Sequence, residues 1–156
     1  KDKQRLKDTA KNLEAKFAST LNRRYTIITD AAYFGVAWRF AQQLNENSKM
    51  EAFVSTLPEA NHNVIESYYG QLPTNFIFLN SNSNERVSAR FDFVSALLER
   101  ENNKIAMIET EGLDIPTMFE VTYILDWFTI NITEPLKVDP MQIENIISLK
   151  DYLSEV

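Results

Sequence analysis

The feature that most constrains this chain is the alternation of short apolar, β-branched runs with longer segments of helical periodicity. Tyr25-Thr26-Ile27-Ile28-Thr29-Asp30, Ala52-Phe53-Val54, Asn75-Phe76-Ile77-Phe78-Leu79 and the stretch from Lys104 to Glu109 have the length and composition of strands. Between them, Ala31 to Glu46 brings Phe34, Ala37, Trp38, Ala41 and Leu44 to helical spacing. Asn61 to Tyr69 reads as a short helix, and Arg86 to Arg100 as a longer one with Val87, Phe91, Val94 and Leu98 turned inward. Strands joined through helices cross over right-handedly and pair in parallel. The expected fold class is therefore α/β, a three-layer sandwich in which helices flank a mostly parallel sheet.

Helices also mark both ends. Leu6, Ala10, Leu13, Phe17 and Leu21 form one apolar stripe, with Lys3, Lys7, Lys11 and Lys16 outside it. Residues 1–24 thus form an amphipathic helix carrying a charge balance of +5, which leaves −11 for the rest of a chain whose net charge is −6. The helical C-terminus begins at Asp114, a capping residue that puts Pro116 in the first turn, where a missing N–H costs little. That helix is expected to run to about Thr133. Its apolar residues, from Met118 to Ile132, go all round, as in a helix buried between layers or in a subunit interface. Asp139, followed by Pro140 and Gln142, has the form of a second cap and predicts a final helix from that point.

Composition narrows the chemistry. With 156 residues and 44% apolar content the chain is long enough for one self-sufficient core. No apolar run reaches the roughly 18–20 residues that cross a bilayer, and the expectation is a cytoplasmic chain without membrane contacts. Nucleic acid is not an expected partner, because an acidic body repels phosphates. Zero cysteines exclude thiolate ligands and thiol catalysis, and one histidine excludes multi-histidine metal sites. Three scattered glycines, Gly35, Gly70 and Gly112, do not form a dinucleotide or P-loop cradle.

Three residues stand out as carriers of acid–base chemistry. Glu46 closes the second helix, so its carboxylate meets the negative end of the helix dipole, an arrangement costing a few tenths of a kcal/mol. His62, between a strand and a short helix, is the only side chain that ordinarily titrates near neutrality. Lys150 falls inside the apolar stripe formed by Ile143, Ile146, Ile147 and Leu153, where an ammonium must snorkel to water or meet an anion. Thr29, Ser81 and Ser83, on strand ends, could hydrogen-bond an anion or serve as ordinary turn residues. Asp126, between Leu125 and Trp127, reads as a structural polar group hydrogen-bonded to a neighbouring element.

Three stretches together resemble one family. Gln43 to Ser48 (QLNENS), Leu57 to Asn63 (LPEANHN), and Leu125-Asp126-Trp127 with Asp139-Pro140 and Leu149-Lys150 are similar to the bifunctional phosphoglucose/phosphomannose isomerases, members of the sugar isomerase (SIS) superfamily. The resemblance covers residues 25–156 and implies the second of two tandem SIS subdomains, preceded by a connecting helix over residues 1–24, with the first subdomain lying outside this chain. It implies isomerisation of glucose 6-phosphate to fructose 6-phosphate through a cis-enediol, with mannose 6-phosphate as a second candidate substrate. Glu46 is the implied base, and His62 and Lys150 the residues assisting ring opening. No cofactor or metal is implied. The implied partners are the N-terminal SIS half and a second copy of the chain in a homodimer, whose histidine reaches the neighbouring site. Family members that accept mannose phosphate carry a threonine where this chain has Ile143. A non-catalytic sugar-phosphate-binding or dimerisation SIS domain is the alternative reading of the same residues.

Overall fold

The computed structural model describes residues 2–67, 72–101, 103–110 and 112–154. Four parallel strands, β1 (Arg24–Asp30), β2 (Ala52–Leu57), β3 (Thr74–Asn80) and β4 (Lys104–Glu109), pair in the order β2-β1-β3-β4. Tyr25 lies opposite Ala52 on one side and Asn75 on the other, and Asn75 opposite Lys104. All seven residues of β3 are buried, which is why its apolar run is continuous rather than alternating.

Helices α1 (Lys3–Phe17), α2 (Phe34–Asn47) and α5 (Ile115–Asn131) cover one sheet face, and α4 (Glu85–Arg100) the other. Tyr25, Ile27, Ile77, Leu79 and Ala106 point into the first layer; Ile28, Phe76 and Phe78 meet Phe91, Val94 and Leu98 of α4 in the second. Alternate residues of each strand thus feed different layers, the arrangement expected of an α/β sandwich. Phe128 is the hub of the first layer, with ring centroids 6.2 Å from Phe17, 6.1 Å from Tyr25 and 5.9 Å from Phe40, all edge-on. Such contacts contribute about 0.5–1.5 kcal/mol each beyond area burial. Outside that core, Leu6 and Ala10 of α1 pack on Ile124 of α5, and the Lys7 ammonium sits 3.9 Å over the Trp127 ring.

Several boundaries differ from the periodicity. Helix α2 starts at Phe34 rather than Ala31, because the Asp30 carboxylate holds Ala32 and Tyr33 in a turn. Its buried stripe is Ala37, Phe40, Ala41 and Leu44; Phe34 and Trp38 stay 44% and 52% exposed and stack on each other. Strand β2 runs on through Ser55 and Thr56, polar residues that pair with Ile28 and Thr29. The short helix divides into a 3₁₀ turn, Glu59–His62, and α3 (Val64–Ser67), separated by the non-helical backbone of Asn63; Tyr68 and Tyr69 lie outside the described residues.

The C-terminal expectations change most. Helix α5 is capped by Asp114, whose side chain accepts from Thr117 N–H at 2.8 Å, and is followed by α6 (Thr133–Leu136). Within this protomer it is not covered all round, since Phe119 and Ile130 are exposed, so burial between the layers alone does not account for its apolar faces. Asp139 caps a turn, accepting from Met141 N–H at 2.8 Å, and α7 (Glu144–Ser154) begins five residues later. The stripe of α7 does not point inward. Met141, Ile146, Ile147, Leu149, Tyr152 and Leu153 are 41% to 80% exposed, since no other described element covers them.

Candidate functional site

Helix α2 runs antiparallel to the strands, so its last turn lies at the amino edge of the sheet, where β2 starts. Polar ties fix that turn. Ser48 is fully buried and its hydroxyl donates to the Thr129 carbonyl at 2.8 Å; Asn47 Nδ2 donates to Thr129 Oγ1 at 3.0 Å; Asn45 Oδ1 accepts from Ala52 N–H at 3.1 Å. Lys49 adopts a left-handed φ of 58°, reversing the chain, and its ammonium donates to the Glu46 carbonyl. Glu46 is exposed between these ties and lines a cleft of about 400 Å³ with Asn45, Lys49, Gln142, Ile143, Glu144 and Ile146.

Lys150 is exposed and lies one turn beyond Ile146 on the same face of α7, about 6 Å further along the axis. It neither pairs with an acid nor packs its stem in a core among the described residues. Glu46 and the start of α7 are therefore brought together, with Lys150 at the outer end of that helix face. His62 is not with them. It ends the 3₁₀ turn after β2, at the carboxyl edge, where its side chain is exposed. The six residues of β2 separate that edge from the Glu46 edge by about 20 Å. Asp126 has the structural partner expected of it: Arg39 donates to one of its oxygens at 2.8 Å.

The carboxyl edge between β1 and β3 is the switch point at which open parallel sheets hold ligands. Here the donors are already engaged. Asp30, 4% exposed, accepts from Ala32 N–H at 3.0 Å and Tyr33 N–H at 3.2 Å through Oδ1, and from Ser81 N–H at 3.0 Å through Oδ2. Asn82 N–H donates to Asn80 Oδ1 and Ser83 N–H to Ser81 Oγ, while Asn84 Oδ1 takes the Arg86 and Val87 amides. Ser81 and Ser83 hydroxyls bond each other at 2.8 Å, and the Thr29 hydroxyl donates to backbone carbonyls. Of the two sequence readings for these hydroxyls, turn chemistry is the one realised. Asp30 was not singled out by sequence; a carboxylate closing a strand just before a helix was the available signal.

No helix among the described residues is long and apolar enough to cross a membrane, and no group of three or more metal-ligating side chains occurs among them.

Comparison with known proteins places this geometry in a family. The chain is 26% identical over 162 residues to the bifunctional phosphoglucose/phosphomannose isomerase of Aquifex aeolicus, covering 98% of this chain and 51% of that protein. A shorter region of 65 residues is 40% identical to the D-glucosamine-6-phosphate 4-epimerase of Sulfolobus acidocaldarius, 42% of this chain and 21% of that one. The chain thus spans about half the length of the first relative and less of the second. In structure it is similar to a hypothetical protein of Thermus thermophilus, with a TM-score of 0.71 at 12% identity over 98% of this chain and 48% of that chain, a likeness of fold. The model of the family described as bacterial phospho-glucose isomerase C-terminal SIS domain matches residues 8–153, and the chain belongs to that family.

Proposed function

We propose that this chain is the C-terminal half of a sugar-phosphate isomerase that interconverts glucose 6-phosphate and fructose 6-phosphate through a cis-enediol. Residues 25–156 form the SIS domain, and residues 1–24, of which Lys3–Phe17 are the helix α1, connect it to an N-terminal half. The reading is supported above all by the placement of Glu46: an exposed carboxylate on a turn held rigid by Ser48, Asn47 and Asn45, beside a cleft large enough for a hexose phosphate. Glu46 takes the proton from C2 of the open-chain aldose and returns it to C1, while a proton passes from O2 to O1, so no electrons are exchanged and no cofactor is needed. Positioned bases of this kind contribute about 10²–10⁴ in rate. Lys150 and His62 move the protons that open the ring. A single protomer holds His62 some 20 Å from Glu46, by the length of β2, and a second copy supplies the imidazole in a homodimer. The exposed stripe of α7 is consistent with further chain packing there, as is the greater length of the Aquifex protein. With Ile143 lining the Glu46 cleft, glucose phosphate is the favoured epimer over mannose phosphate. Phosphorylated sugars are charged and confined by membranes, so the reaction belongs in the cytoplasm.

The test joins this chain to its N-terminal half and follows conversion of glucose 6-phosphate. Glu46→Gln should lower kcat by about 10²–10⁴ with KM little changed; a variant with wild-type turnover removes Glu46 as the base. The separation of Glu46 from His62 favours one competing reading, a non-catalytic sugar-phosphate-binding or dimerisation domain. Calorimetric binding of the sugar phosphate by the joined protein, with no isomerisation, would select it.

A further inference from the structure

Among the described residues that line the Glu46 cleft, Lys49 alone carries a positive charge, and the acid–base steps given above leave it without a task. Its backbone lies in the left-handed region, at φ 58°, directly after the last turn of α2. Glycine takes that conformation without steric cost, whereas a lysine side chain opposes it. Reversing the chain would by itself favour glycine, so a long side chain kept at a strained position calls for a use. That side chain is exposed, and its ammonium donates to the Glu46 carbonyl at 2.6 Å. One of the three N–H donors of an ammonium is thereby engaged, and two remain. Two carboxylates line the same cleft, Glu46 and Glu144, and Lys49 forms an ion pair with neither; both Glu144 oxygens accept from Gln142 Nε2 at 3.0 Å. A base and a cation thus share one cleft without neutralising each other, and both are exposed to an incoming ligand.

We infer that Lys49 is a further catalytic residue of this site, the cation that stabilises the enediolate, an inference that rests on the isomerase reading. When Glu46 takes the proton from C2, the electron pair of the C2–H bond becomes the second C1–C2 bond, and the carbonyl pair moves onto O1. That oxygen carries the negative charge until the proton from O2 reaches it. An ammonium held in place before the reaction begins acts most strongly on this charge, because the carbonyl oxygen of the bound sugar is neutral. Lys49 donates a hydrogen bond to O1, keeps its own proton and exchanges no electrons. Its bond to the Glu46 carbonyl ties the cation to the turn that carries the base, so the two keep their spacing. Lys150 does not compete for this role, since it lies outside the lining of the cleft.

The test uses the chain joined to its N-terminal half. Lys49→Gly suits the left-handed backbone and removes only the side chain, so it should unfold at a urea midpoint close to the parent's. Its kcat for glucose 6-phosphate should fall by about 10²–10³ with KM little changed. Lys49→Arg, which keeps a cation, should recover about tenfold of that loss. Lys137→Gly is the control: this lysine has the same left-handed backbone at the end of α6 but lies outside the cleft, and its replacement should leave kcat unchanged. A planar hydroxamate analogue of the enediolate separates charge stabilisation from a structural role. Lys49→Gly should weaken inhibition by this analogue about as much as it lowers kcat, an effect that a merely structural lysine would not produce. The inference is overturned by parental kcat in Lys49→Gly, by a raised KM at parental kcat, by equal losses in the glycine and arginine variants, or by unchanged inhibition. Should Glu46→Gln lose turnover while Lys49→Gly keeps it, this inference alone falls. A joined parent that does not isomerise the sugar removes the isomerase reading and this inference with it.

Discussion

Replacing Asp30 by alanine tests whether its carboxylate ties the two crossover loops of the sheet together. The side chain is 4% exposed and accepts three backbone N–H bonds at 3.0, 3.2 and 3.0 Å, two within its own turn and one from Ser81, fifty-one residues away. A buried donor left without a partner costs about 1–3 kcal/mol, and hydrogen bonds to a charged acceptor lie at the upper end of the usual range. Partial entry of water reduces the sum, so Asp30→Ala should lose about 3–5 kcal/mol. Asp30→Asn separates the contributions. Its amide oxygen can keep the Ala32 and Tyr33 bonds, but its NH₂ then faces the Ser81 N–H, donor against donor, for a loss of about 1–3 kcal/mol. Urea unfolding measures both, read as a change in midpoint at constant slope. Amide exchange at Ser81 should accelerate in both variants, and at Ala32 and Tyr33 only in the alanine variant. An Asp30→Ala protein within about 1 kcal/mol of the parent, or an Asn variant as unstable as the Ala one, would refute the clamp.

Three further perturbations check other parts of the argument. Burial pushes the Tyr25 phenol up to about 12, with the Asn75 side chain offsetting part of the effect, so the folded chain keeps this proton after the unfolded chain has released it near pH 10. Stability present below pH 10 should therefore fall by about 2–3 kcal/mol as the pH rises through 12, and Tyr25→Phe should remove that dependence in alkaline unfolding curves. Phe128→Ala removes the ring that three other aromatics pack against and should cost about 3–5 kcal/mol by urea unfolding; a loss below about 1 kcal/mol would mean that the core closes over the gap. Ile147→Ser, on the uncovered face of α7, should change the stability of this chain by no more than about 0.5 kcal/mol in the same assay, a result that a buried stripe would not give.

The layers were legible because periodicity records which faces of an element meet apolar neighbours. The continuous run through Phe76-Ile77-Phe78 marked the buried third strand, and the stripe from Leu6 to Phe17 marked the face that packs on the sheet and α5. Periodicity misleads where no described element covers the stripe or where two patterns overlap. Trp38 shares its helix with Phe40, and only the second fits under the sheet; the α7 stripe has its spacing but stays exposed among the described residues. The Asp139 cap was a sound local signal for a turn, and the helix it announced begins after an intervening stretch. The resemblance identified the family that the comparisons show, yet it did not place the residues in space.

By itself, the sequence determined the α/β class, the four strands, the helices between them and the exclusion of thiol, multi-histidine and P-loop chemistry, since these depend on residue type and on spacing within about twenty positions. The tertiary structure alone decided that Glu46 and the start of α7 share a cleft, that His62 stands at the opposite edge of the sheet, and that Asp30 closes the switch point with the Ser81 amide. Those outcomes depend on which strand ends and loops the crossovers bring side by side, and a contact between residues fifty positions apart leaves no period in the chain to read.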